Sequence, residues 1–148
     1  MKRLALFIVA VVVLAGCGGS SRLSKTAYEQ KLQVDGAQVQ ASITKLVKNP
    51  PTTLAQVATR IDRTEAIVQQ AANEIASLKA PSDAVADNAA IVTGLRRIQS
   101  GLEQVKKNPT AAASVITSIE KSPQLKAATK ATTDLKRKGY KVGVIGAP

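Results

Sequence analysis

Residues 54–78 read LAQVATRIDRTEAIVQQAANEIASL. Leu54, Val57, Ile61, Thr64, Val68, Ala71, Ile75 and Leu78 recur at steps of three and four, which places them on one face of an α-helix. The other faces carry Gln, Arg, Asp, Glu and Asn. Thr64 is the one polar member of the stripe. Such a helix must bury its face against others, so this stretch predicts helix-on-helix packing.

The same spacing runs in both directions from it. Ile91, Leu95, Ile98, Leu102 and Val105 form a second clean stripe. Tyr28, Leu32, Val39, Ile43 and Leu46 form a weaker one, with Gly36 in its middle. The last segment carries Val115, Ile116 and Ile119, then Leu125, Ala128, Thr132 and Leu135. Pro residues divide the four: Asn49-Pro50-Pro51, Ala80-Pro81 and Asn108-Pro109. Asn before Pro suits a helix cap followed by a first turn that needs no N–H. Ser122-Pro123 repeats that chemistry inside the fourth segment and predicts a kink or break there. Lys136-Arg137-Lys138-Gly139 reads as a helix end, with cations in the last turn and glycine at the left-handed cap. The expected fold is all-α: a four-helix up-down bundle with its last helix broken at Pro123. The alternative is a three-helix bundle with a separate C-terminal helix. Leu46-Val47-Lys48-Asn49-Pro50 and Val105-Lys106-Lys107-Asn108-Pro109 are similar enough to raise duplication of a helical hairpin, beside the plainer account of good loop chemistry.

The N-terminus is built differently. Met1-Lys2-Arg3 is followed by an unbroken apolar run, Leu4 to Ala15, and then by Leu14-Ala15-Gly16-Cys17. The run falls short of the ~20 residues that span a bilayer, so it reads as the apolar region of a signal peptide. The tetrapeptide resembles the lipobox of bacterial lipoproteins: an aliphatic residue, two small ones, then cysteine. The resemblance covers residues 1–17 alone. It implies cleavage between Gly16 and Cys17, diacylglycerol on the Cys17 thiol, palmitate-type acylation of the new N-terminus, and residence at the cell membrane or envelope on the extracytoplasmic side. Cys17 is the only cysteine, so no disulfide forms within the chain, and an anchor accounts for a thiol that is otherwise unexplained in an exported protein. Two acyl chains hold a protein stably where one holds it marginally. Domain limits follow: 1–16 signal peptide, 17–24 lipidated Gly/Ser tether reaching roughly 15 Å, 25–138 helical domain, and 139–148 disordered tail, including the short β-prone Val142–Ile145. No family resemblance emerges for residues beyond the anchor.

Loss of the leader removes Lys2 and Arg3 from a formal net charge of +11. It also removes Phe7, leaving Tyr28 and Tyr140 as the only aromatics in an aliphatic, Ala-rich core. Small residues bury little area each, so a folded domain of modest stability is expected.

Function is read mostly by exclusion. The sequence has no His, which removes the commonest metal ligand and neutral-pH acid/base. No metal, cofactor or catalytic residue is expected. Glu65, Glu74, Glu103 and Glu120 fall among Lys, Arg and Gln and read as solvated helix surface rather than a hydrolytic pair. Ser118-Ile119-Glu120-Lys121 matches the Ser-x-x-Lys of penicillin-recognising enzymes and nothing more of that family. Arg96-Arg97 reads as ordinary surface. The remaining feature is a basic C-terminal stretch: Lys126, Lys130, Lys136, Arg137, Lys138 and Lys141, with Asp134 the only acid among them. Each cation near anionic lipid is worth about 1 kcal/mol. Nucleic acid is not an expected partner, because a single-strand surface needs interleaved aromatics. The expectation is a non-enzymatic envelope lipoprotein, held in the membrane through Cys17, binding a protein partner or an anionic lipid or envelope polymer. The alternative is a carrier or chaperone holding an apolar ligand between its helices.

Overall fold

The computed structural model of the chain describes residues 21–48 and 53–143. Cys17, Gly16 and the rest of the leader lie outside the described residues, as do residues 144–148 and the Asn49-Pro50-Pro51 connection. Among the described residues the fold is all-helical and forms a bundle. It comprises α1 (Lys25–Lys48), α2 (Leu54–Ser77), α3 (Val85–Lys107), α4 (Ala112–Lys121) and α5 (Pro123–Arg137). Short 3-10 turns, Ser82–Ala84 and Pro109–Ala111, lead into α3 and α4. None of these helices is long and apolar enough to cross a membrane.

α3 is the central element. It packs on α2, α4 and α5, while α1 packs on α2. The stripes supply the core: Ile61, Val68, Ala71 and Ile75 of α2 meet Ile91, Leu95, Ile98 and Leu102 of α3. Leu32 and Val39 of α1 and Ala131 and Leu135 of α5 complete it. α5 lies along α3. Its close approach depends on Gly94, where an added Cβ would sit 2.5 Å from the Ala128 Cβ.

The helix punctuation is local chemistry. The chain breaks at Ser122, whose backbone is extended and whose Oγ accepts from Leu125 N at 3.3 Å, with Pro123 in the first turn. Ser122→Ala should therefore lower thermal stability by about 1 kcal/mol through the lost cap; an unchanged melting curve would show that the break needs no cap. α5 ends in a Schellman motif: Tyr140 N donates to Leu135 O and Gly139 N to Lys136 O, with Gly139 at φ 78°. Two expected caps differ. Thr53, not Asn49, caps α2 by accepting from Gln56 N. Asn108 makes no side-chain cap and accepts instead from the Thr110 hydroxyl.

Two expected boundaries also move. The tether does not run free to residue 24: Arg22 Nη1 donates to Ala80 O, Leu23 N donates to Lys79 O, and Leu23 packs on the core. Nor does a disordered tail begin at 139. Tyr140 is buried, Val142 packs against the core, and Lys141 is held at both backbone groups, its N–H by Glu29 and its carbonyl by Gln33. An aromatic ring and a set of backbone hydrogen bonds outweigh the looseness suggested by Gly139 and Gly143.

Candidate functional site

The only two aromatics among the described residues meet at one end of the bundle. Tyr28 is fully buried and lies edge-on to Tyr140, with ring centroids 5.9 Å apart. Tyr28 Oη donates to Asn88 Oδ1, and Asn88 Nδ2 donates to Ile75 O, which ties α1, α2 and α3 together. Tyr140 Oη donates to Asp83 Oδ1 at 2.7 Å. Lys25 Nζ lies 4.6 Å from the Tyr140 ring centroid and donates to Lys138 O. Burial pushes both phenols up, Tyr140 to about 12, with the Asp83 hydrogen bond adding to the effect. They are neutral anchors, not acid/base groups.

This clasp divides the expected anion-binding residues. Lys138 Nζ donates to Asp87 Oδ2 at 2.6 Å and to Asp83 O, and the Asp87 hydrogen bond raises its pKa. It is an internal fastening rather than an open cation. Lys130 and Arg137 both pair with Asp134, whose carboxyl they hold below its usual range. Lys126, Lys136 and Lys141 project from exposed positions, and Lys136 and Lys141 stand at the clasp end. Cys17 and Gly16 lie outside the described residues.

Two surface grooves carry charge that sequence reasoning did not bring together. One, of about 570 Å³, lies between the end of α2 and the outer face of α3. Arg22, Lys79 and Arg96 stand around it, and Val85, Ala89 and Val92 form part of its apolar floor. The other, of about 530 Å³, lies between α1 and α2 and is lined by Lys45, Arg60 and Arg63 beside Ser42, Thr64 and Ile67. Neither is lined by a carboxylate. Thr64, the polar member of the α2 stripe, thus borders a groove. Arg96 is exposed and borders the first groove, while its neighbour Arg97 donates to Ser118 Oγ on α4. Only three-dimensional proximity joins Arg22, Lys79 and Arg96; no sequence spacing signals it.

The carboxylates are arranged otherwise than expected in one respect. Glu74 is half-buried and shares a side-chain hydrogen bond with Asp35, which is 3% exposed. Burial, then the Glu74 charge, push Asp35 up to about 6, with Lys31 opposing weakly. Asp35 Oδ2 has no partner. Asp35 and Glu74 face each other between α1 and α2 and line neither groove. Glu65, Glu103 and Glu120 do not converge with them. Among the described residues no cluster of three or more His, Cys, Asp or Glu could hold a metal ion. No protein-family model, curated protein or solved structure matches this chain.

Proposed function

We propose that this chain is a lipid-anchored envelope protein without enzymatic activity, moored through Cys17 and resting one end of a four-helix up-down bundle on an anionic surface. The observation that carries the reading is the meeting of the first and last described segments, residues 21–24 and 138–143, at one pole. Arg22 and Leu23 are fixed against Lys79 and Ala80, beside the clasp that holds residues 138–141. Four residue steps separate Cys17 from Ser21, a reach of at most about 14 Å. An acylated Cys17 therefore keeps that pole, with Lys79, Lys136 and Lys141, close to the headgroups. Asp87 is paired with Lys138, and the Asp83 carboxylate accepts from Tyr140 Oη, so the exposed lysines are left to act on the surface below. The carrier alternative has less behind it, since both grooves are open surface features rimmed by cations rather than apolar chambers.

Two measurements test the reading. Mass spectrometry of the membrane fraction should find the chain beginning at an acylated Cys17, and Cys17→Ala should release the protein from membranes. An unmodified Cys17, or a chain that still begins at Met1, overturns the anchor. Mature protein carrying Cys17→Ser should bind vesicles containing phosphatidylglycerol, with retention falling as salt rises. The double variant Lys136→Glu/Lys141→Glu should weaken retention several-fold. Equal retention on neutral phosphatidylcholine vesicles would overturn the anionic surface as partner.

A further inference from the structure

The groove at the anchored pole has a composition that a merely solvated surface does not require. Three cations from three separate places converge on it: Arg22 from the entering chain, Lys79 from the α2–α3 connection and Arg96 from α3. No carboxylate lines it. Asp83 and Asp87, which flank Val85 in the sequence, are committed to Tyr140 and Lys138. Arg22 uses Nη1 on Ala80 O and keeps its other N–H donors. Lys79 and Arg96 make no side-chain hydrogen bond or ion pair with the described residues. Asn88 is spent on Tyr28 and Ile75, and Thr93 donates to Ala89 O, so the donors left for an occupant are the cationic ones.

Beneath these cations the floor is apolar. Val85 is 44% exposed and is one of only three large hydrophobics so exposed among the described residues. A cationic rim over a small aliphatic floor fits a group that is anionic at one end and hydrocarbon at the other. Five residue steps separate Arg22 from Cys17, a reach of at most about 18 Å. The groove therefore opens near the leaflet that an acylated Cys17 would enter.

We propose that this groove is a headgroup site for an anionic glycerophospholipid, with Arg22, Lys79 and Arg96 holding the phosphate and Val85 meeting the glycerol and first acyl methylenes. The inference rests on the anchored reading for its source of lipid, but the site is testable without the anchor. Monomeric dihexanoyl phosphatidylglycerol, added to isotope-labelled mature protein carrying Cys17→Ser, should shift the amide signals of Lys79, Val85, Ala89 and Thr93 saturably. Arg96→Glu should weaken binding tenfold or more. Lys107→Glu makes the same charge change on an exposed residue at the far end of α3 and should alter it less than twofold. Lys79→Glu serves as the second groove variant, and circular dichroism checks that each variant folds.

Equal losses for Lys107→Glu and Arg96→Glu would reduce the effect to net charge and overturn the site. Equal binding of dihexanoyl phosphatidylcholine, shifts centred elsewhere, or equally tight binding of inorganic phosphate would overturn it too. Failure of the anchor is read separately, from the mass of Cys17. A free thiol there with a saturable groove would leave the headgroup site standing and remove only its proposed source of lipid.

Discussion

Gly94→Ala should destabilise the bundle by about 1–3 kcal/mol, although alanine normally favours a helix by about 1 kcal/mol over glycine. The new Cβ would lie 2.5 Å from the Ala128 Cβ and 3.4 Å from the Gln124 carbonyl oxygen. Neither neighbour can turn aside: one is a methyl fixed to its backbone, the other is backbone. The only relief is to part α3 from α5, and Ala131, Leu135 and Tyr140 anchor α5 in the core. Urea unfolding of the single variants and of Gly94→Ala/Ala128→Gly tests the point. The two changes should couple favourably by more than about 1 kcal/mol, because Ala128→Gly removes the atom that is struck. Gly101→Ala should cost less, since the atoms it meets belong to the flexible end of Ile119. A neutral Gly94→Ala would mean that the helices are not in close contact.

Asp35→Asn should raise stability at pH 7.5 by about 1–2 kcal/mol and remove a pH dependence of the parent. The folded-state pKa of Asp35 lies above its usual value, at about 6. Between about pH 4 and 6 the native state therefore holds a proton that the unfolded chain has released. The group's stabilising contribution is complete below about pH 4 and is lost as pH rises through about 6. The full linkage value is reduced because solvent reaches the half-exposed Glu74 and screens the pair. An asparagine side chain at this position cannot ionise, and its amide can donate to Glu74. Unfolding free energies from about pH 4 to 7.5 should fall for the parent and stay level for the variant over the same window. Asp134 does not confuse the result, because its pKa is lowered and its own loss lies below about pH 4. A parent whose stability is flat across that window would show that Asp35 is solvated.

The fold was legible where the stripes were strongest. The α2 and α3 patterns placed Ile61, Val68, Ile75, Ile91, Leu95 and Ile98 in the core because a period of 3.6 leaves a buried helix few other arrangements. Ser122-Pro123 and Gly139 marked their helix ends for reasons of single-residue chemistry. Asp35 was missed although it occupies the vacant step between Leu32 and Val39 in the α1 stripe. An acid on an apolar stripe was passed over as a gap, when it signalled a buried carboxyl. Thr64, by contrast, counts in the α2 stripe as its one polar member, and it is buried. The clasp was illegible for another reason. Tyr28, Asn88, Asp83 and Tyr140 belong to three distant stretches, and only tertiary contact makes them a unit. The same holds for the cationic groove. Arg22 reads as tether and Arg96 as helix surface, Lys79 carries no signal of its own, and only the fold sets the three around one groove.

The pocket that encloses Tyr28 is completed by a wall, Tyr140, that lies beyond α5 in the chain. Synthesis runs from the N-terminal side, so α1 leaves the ribosome with its aromatic ring uncovered and stays in that state until Tyr140 has followed. A chain cut a few residues before Tyr140 would keep α1 to α5 and lack that wall, a natural target for proteolytic clearance.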